Sequence, residues 1–400
     1  SSVVKGFFSS VGTSFILQLV SLLIVPLYLN LTSQEMYGLW LTLGAILGWI
    51  KIGDMGLGLS LTRNSINALE NNNYYLLKSY IWGAIITTLT IGIFVCLLGG
   101  IFADDLIDLL SINNELKNDF KNTYLLLLLV ALIRPGCISL SSIINAKQHI
   151  AFLHIKNTLV TLSSIIVNVI FLKLGYGIFS FAIGLLFETM LTPIVDTIYL
   201  KRVDKKIFLY PPRTTKKDIT SLLKFGAPYQ ALKIANLVST STDNIIIAAI
   251  LGATSVTIYV FTGKLAFLLA VFLVSVIPSV LFPGFSQLFE QKNNKKIKNL
   301  YFKLTDLAIR LGLFSGISYF YINETFINLW VGPENYGGDN LTRLFIIWII
   351  FESFTRGLTS IIYASADLSG LTFISFCEAL LNISLTLIFI QSMGLLGVVL

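Results

Sequence analysis

Thirteen ionisable side chains sit in stretches otherwise built of leucine, isoleucine, valine and phenylalanine: Lys51, Arg134, Lys233, Lys264, Arg310 and Arg356 as cations, with Asp54, Glu188, Asp196, Asp243, Asp306, Glu352 and Glu378 as acids. Facing hydrocarbon, each would cost roughly 3 kcal/mol on insertion scales, on the order of 40 kcal/mol together. They must therefore meet one another or water. Three pairs can form on single helix faces: Glu352 with Arg356 and Asp306 with Arg310 at i,i+4, and Lys51 with Asp54 at i,i+3. Arg134, Lys233 and Lys264 have no carboxylate at helical spacing on their own stretch. They need a partner from another helix, or an anionic ligand.

Uncharged polar residues form stripes in two places. Ser10, Ser14, Gln18 and Ser21 follow one face of the first apolar stretch, and Gln230, Lys233 and Asn236 lead into the run Ser239 to Asn244. Such stripes act as glue between helices or line a wet cavity. Other chemistry is not indicated. His149 and His154 share a short polar link with no cysteine or carboxylate at ligand spacing, so neither a metal nor any other cofactor is expected. Cys96, Cys137 and Cys377 lie in apolar runs and read as small buried hydrophobes. No phosphate-binding glycine loop, GxSxG, HExxH or CxxC is present, so the chain does not read as an enzyme.

The elements that must position these residues follow from the composition. Of 400 residues 55% are hydrophobic and only 12% charged, with mean hydropathy +0.81, against about 25% charged in soluble domains. This is an all-α integral membrane protein. Apolar runs bounded by polar clusters give spans at 7–31, 37–61, 81–102, 123–144, 157–174, 178–200, 225–251, 256–285, 300–322, 341–364 and 368–391, and the start of another from Gly394. They are about twice the 9 to 11 residues of a barrel strand and do not alternate. Both ends of the sequence look trimmed, a missing final helix is allowed for, and the first run lacks the short core and A-x-A end of a cleaved signal. Pro26, Pro135, Pro193, Pro228, Pro278 and Pro283 fall inside spans, where kinked or broken helices are expected.

With the N-terminus inside, inner links hold 18 Lys and Arg and outer links four, so the N-terminus reads as cytoplasmic. The net charge of +7 is then a topology signal and not a nucleic-acid footprint. The sequence also repeats. SSIINA at 141–146 matches TSIIYA at 359–364, Leu172 to Gly175 resembles Gln391 to Gly394, and Tyr37 pairs with Tyr259. The offset stays between 218 and 222 residues. Two pseudo-symmetric six-helix lobes, 1–200 and 225–400, joined by the basic cytoplasmic link 201–224, are expected to surround a central cationic cavity.

Gly6 to Tyr37, then YGLW at 37–40 and GDMGLGLSLTRN at 53–64, with KFGAPYQ at 224–230 and TDNIIIAAILGATSVTIYVFTGKL ending at Leu265, carry a resemblance over essentially the whole chain. The sequence resembles the polysaccharide transport family of the multidrug, oligosaccharidyl-lipid and polysaccharide exporter superfamily, typified by bacterial O-antigen flippases. The resemblance implies a twelve- or fourteen-helix inner-membrane transporter carrying undecaprenyl-pyrophosphate-linked oligosaccharide, the repeat unit of O-antigen or similar surface polysaccharide, from the cytoplasmic to the periplasmic leaflet. By similarity Lys51, Lys233 and Lys264 would meet the pyrophosphate, and Arg134, Arg310 and Arg356 are carried over as lumen residues. The partners implied are the lipid-linked oligosaccharide, membrane lipids, and a polysaccharide polymerase and chain-length regulator.

The residue chemistry agrees with that reading. A pyrophosphate bridge carries about two negative charges, which buried ammonium and guanidinium groups can solvate. Gln18, Gln230, Asn236 and Asn244 offer amides to sugar hydroxyls, and the polyprenyl tail can stay in lipid. The alternative is a drug or cation antiporter of the same superfamily, with Asp54, Glu188 or Asp243 binding a proton or sodium ion. A channel lacks an evident filter here, and a mere scaffold would not need so many charges in its spans.

Overall fold

Backbone amides and carbonyls find no water inside a bilayer, so long apolar segments satisfy them by helix formation. The computed structural model of the chain describes residues 2–50, 56–209, 214–270, 294–365 and 369–400, without the side chains of 2–8, 49–50, 138, 225–229, 240, 294, 356–365 and 369. Apart from short 3-10 turns, the regular elements among these residues are α-helices. They are α1 Ser2–Leu31, α2 Gln34–Ile50, α3 Leu57–Glu70, α4 Tyr74–Ile101, α5 Ala103–Leu109, α6 Asn114–Ala146, α7 Ile150–Lys173, α8 Phe179–Val203 and α9 Lys216–Leu251. Then come α10 Ala253–Ala270, α11 Asn294–Trp330, α12 Asp339–Ser365, α13 Ser369–Met393 and α14 Leu396–Val399. Eight of them, α1, α4, α6 to α10 and α13, contain stretches apolar and long enough to cross a membrane.

Two expected boundaries move. The span predicted at 37–61 is not one continuous helix. Gly56, at the start of α3, has φ 66°, a left-handed conformation that a right-handed helix does not contain and that glycine adopts without a Cβ clash. The span predicted from Asn157 begins at Ile150 instead, which carries Lys156 from the link into α7. The prolines do not interrupt: helix continues through Pro26, Pro135 and Pro193. Pro228 is among the side chains not described, and Pro278 and Pro283 lie outside the described residues.

The chain divides into two compact units, Ser1–Leu237 and Val238–Leu400. In the first unit α6 is central and packs on α3, α4 and α8, while α7 packs on α1 and α8. Glycine permits the closest approaches. Gly92 of α4 lies against the backbone of Leu132, and Gly184 of α8 against the carbonyl of Ser164, so a side chain at either would force the helices apart.

Alternate links gather at opposite ends of this unit, as a chain that crosses and recrosses requires. At one end Asn113 donates to Glu35 at 2.8 Å, and Met36 packs on Gly177, which joins the links after α1, α5 and α7. At the other, Leu61, Leu77, Ile81, Ile143, Leu200 and Leu222 form an apolar cluster roofed by polar contacts. There the Tyr74 hydroxyl and Lys147 ammonium both donate to Asp204 (3.0 and 2.6 Å), and Lys78 and Lys201 lie over the Phe208 ring. Ile219 and Leu222 of α9 cover Gly83 of α4, so the start of α9 belongs to this unit.

Candidate functional site

Helix geometry places the chemistry of the first unit on one seam. Arg134 and Ser141 are seven residues apart on α6, and Glu188 and Asp196 eight apart on α8. Each pair spans about two turns and so shares a face. Where the faces meet, Arg134 Nη2 donates to Glu188 Oε1 at 2.7 Å. Two turns along, Lys156 from α7 donates to Asp196 Oδ1 at 2.9 Å and to Ser141 Oγ at 3.0 Å, and the Ser141 hydroxyl donates to Asp196 Oδ2. Lys156 and Asp196 are essentially sealed, their side chains 2% and 0% exposed, while Arg134 and Glu188 keep 24% and 17%. A buried pair is rarely a net source of stability, but losing one member leaves an uncompensated charge at a cost of about 3 to 5 kcal/mol.

The Arg134–Glu188 pair opens on a cavity of about 330 Å³, lined also by Cys137, Ser141, Asn157, Thr161, Thr189 and Thr192. Among the described residues, two polar atoms here lack a partner, Arg134 Nη1 and the hydroxyl of Thr189. Buried polar atoms are almost always hydrogen-bonded, so these two hold unmet hydrogen-bonding capacity where the seam borders the cavity.

The remaining sequence-predicted residues are spread over the chain. Gln18 is half-buried on α1, and Ser21 turns its hydroxyl to the Gln18 carbonyl at 2.7 Å. On α9 Gln230 is buried, Lys233 and Asn236 are exposed, and Asn236 donates to the Leu232 carbonyl at 3.0 Å. Lys264 is half-buried on α10, and no carboxylate among the described residues pairs with it. The Tyr259 hydroxyl reaches Asp243 Oδ2 at 3.4 Å, and Asp243 Oδ1 has no partner among the described residues. Asp306 and Arg310 form the expected i,i+4 pair at 2.9 Å, largely exposed. Lys51 and Asp54 lie outside the described residues, as does the Arg356 side chain. Thus, among the described residues, the structure joins Arg134 to Glu188 and Asp306 to Arg310.

Sequence reasoning missed the Lys156–Asp196–Ser141 cluster and the Thr161, Thr189 and Thr192 wall. Starting the fifth span at Asn157 turned Lys156 into a link residue. The usable signal was Asp196, an acid with no cation at helical spacing on its own helix, which demanded one from a neighbour.

These features define an all-helical, multi-span membrane protein with an ion-paired, hydroxyl-lined cavity inside its first unit. The family model described as polysaccharide biosynthesis protein matches residues 3–289, and the chain belongs to that family. No curated protein matches the sequence. Among solved structures, an inward-facing multidrug resistance MATE family transporter of the MOP superfamily aligns with 92% of this chain and 90% of its own, with TM-score 0.75 at 14% identity. A MOP superfamily transporter from Pyrococcus furiosus Vc1, whose description notes a binding pocket of reverse polarity that suggests a different function, aligns over 100% of this chain and 91% of its own, with TM-score 0.68 at 12% identity. An outward-facing MATE family transporter aligns over 100% and 90%, with TM-score 0.64 at 12% identity. At such identities the likeness is one of fold, and the fold is that of these transporters.

Proposed function

We propose that this protein flips undecaprenyl-pyrophosphate-linked oligosaccharide, the repeat unit of O-antigen or a similar surface polysaccharide, from the cytoplasmic to the periplasmic leaflet by alternating access. The observation that carries the reading is the family match over residues 3–289 on a chain with a transporter fold. The chemistry supports it. Lys264, half-buried on α10 and without a described carboxylate partner, suits the pyrophosphate. Lys233 on α9 is a second contact for it. Asp243, with one carboxylate oxygen unpartnered among the described residues, suits a coupling proton or sodium ion.

The membrane is the bacterial inner membrane, with the N-terminus cytoplasmic. Support comes from the 18 to 4 bias of basic residues and from the end of the first unit where Lys78, Lys147, Lys201 and Lys206 gather around Asp204, Phe208 and Tyr74. A polymerase and a chain-length regulator are the partners that would consume the flipped unit.

Deleting the gene tests the proposal. Lipid-linked oligosaccharide should accumulate in the cytoplasmic leaflet while surface polysaccharide is lost. Unchanged lipid-linked pools with new drug sensitivity would instead identify a drug or cation antiporter.

A further inference from the structure

The cavity in the first unit differs in charge from the site a pyrophosphate needs. Arg134 is matched by Glu188 and Lys156 by Asp196, so the wall carries no net charge. A dianion entering it would gain from Arg134 and lose to Glu188 at similar range, in a medium where both terms are large. An apolar drug would leave the Thr161 hydroxyl and the Asn157 amide facing carbon. What the wall offers is donors and acceptors side by side. Arg134 Nη1 is an unused donor, the Thr189 hydroxyl, on a side chain 2% exposed, is unused in either role, and an ionised Glu188 has lone pairs beyond the one facing Arg134.

Adjacent ring hydroxyls have that character, each donating one hydrogen bond and accepting others. The volume of about 330 Å³ is at the low end of small-molecule sites, which run from about 300 to 1,000 Å³. That is room for one sugar ring with its exocyclic oxygens and not for a whole repeat unit. The geometry points to a monosaccharide subsite: we infer that one neutral ring of the transported oligosaccharide seats between α6, α7 and α8, with Arg134, Glu188 and Thr189 reading its hydroxyls. The inference rests on the flippase reading and adds to it a place for the sugar within the first unit.

Cys137 lines the same cavity and reports on it. The full chain, with Cys96 and Cys377 replaced by Ala, is placed in lipid nanodiscs and alkylation of Cys137 by N-ethylmaleimide is timed. The probes are the repeat-unit oligosaccharide released from the host's surface polysaccharide, a panel of methyl hexosides, and inorganic pyrophosphate. The repeat unit should slow alkylation severalfold and pyrophosphate should not. Thr189→Val removes the unpartnered hydroxyl at nearly the same volume, so it should abolish protection while leaving the thermal midpoint unchanged or raised. Protection by pyrophosphate alone, protection by no probe, or full protection in Thr189→Val would each overturn the inference. The flippase reading fails separately, if deletion leaves lipid-linked pools unchanged; protection of Cys137 by sugar would then still support the subsite.

Discussion

In the first unit the helices meet through charge, Arg134 against Glu188 and Lys156 against Asp196. In the second unit the network around Tyr319 is neutral, although Asp243 and Lys264 also lie partly buried there. The Tyr319 hydroxyl donates to the Thr262 carbonyl at 2.7 Å and accepts from Asn323 at 3.0 Å, Asn323 also donates to Thr342 at 3.2 Å, and the Gly337 amide donates to the Thr262 hydroxyl at 2.8 Å. Tyr319, Asn323, Thr342 and Thr262 are all 1% exposed or less. Both arrangements lock helices by satisfying polar groups in a medium that cannot. They differ in what failure costs. A neutral network that loses one member exposes a dipole, whereas an ion pair that loses one member exposes a charge. Charge also does what a neutral knot does not, because the Arg134–Glu188 pair presents donor and acceptor together on the wall of a cavity. The higher penalty falls on the seam that borders the cavity, and the cheaper device holds the helices around Tyr319.

The largest effect should follow from stranding a charge. Asp196→Ala leaves the Lys156 ammonium sealed with only Ser141 for company, and should destabilise the protein by about 3 to 5 kcal/mol. Thermal unfolding in detergent, followed by loss of the monodisperse peak, measures it. Replacing both partners, Lys156→Met with Asp196→Leu, should recover most of the loss. If Asp196→Ala melts with the wild type, the buried pair does not carry the interface assigned to it.

Next comes a cation with no described acid beside it. Lys264→Ala should stop export while the protein inserts and purifies normally, because a charge-assisted contact to an anion is worth about 1.5 to 3 kcal/mol. Lys233→Ala should behave alike. Lipid-linked intermediates would be extracted from cells carrying each variant. Wild-type surface polysaccharide in both would remove these lysines from the pyrophosphate site.

Tyr319→Phe tests the neutral network. It deletes one hydroxyl, leaves the Thr262 carbonyl and the Asn323 amide short of a partner, and should cost about 1 to 3 kcal/mol, less than the single-charge deletion in the first unit. A loss equal to that of Asp196→Ala would erase the contrast between the units.

How much of this contrast was legible beforehand depends on where each interaction is encoded. The membrane spans follow from apolar runs, and the Asp306–Arg310 pair from spacing along one helix. That Arg134 needed a partner from elsewhere was also legible, but not that Glu188 on α8 supplies it, because pairing between helices is set by packing and rotation. Lys156 was lost to a helix that starts at Ile150, seven residues ahead of the apolar run proper. The neutral network leaves no trace in a search for charges: Asn323 sits one residue past the predicted span 300–322, yet it is fully buried because α11 continues to Trp330.

A titration probes the basic end of the first unit. Asp218, ahead of the apolar part of α9, accepts from Ser79 of α4 at 2.6 Å and from Thr215. Partial burial pushes its carboxyl up, but the bonds from Ser79 and Thr215, with Lys217 nearby, outweigh this and hold its pKa below the usual value. A carboxyl depressed on folding contributes stability that is full above its unfolded pKa, about 3.9, and that fades as pH falls through the folded value. The difference in melting temperature between wild type and Asp218→Asn should therefore be present at neutral pH and shrink below about pH 4. A difference that does not change with pH would mean the bonds hold without the charge.

The smallest effect belongs to the ion pair of the second unit that the described residues show, Asp306 with Arg310. Its side chains are 61% and 74% exposed, so water already solvates both charges and the attraction is weak. Arg310→Ala should change stability by about 0 to 1 kcal/mol, and added salt should remove most of that. If Arg310 were instead a lumen cation, as the family resemblance implies, the same variant would lose export without losing stability. Measuring both quantities on one variant separates the two roles. A silent Arg310→Ala beside a crippling Asp196→Ala would show that burial, and not the presence of a charge in an apolar stretch, decides which ionisable residues in this membrane protein matter.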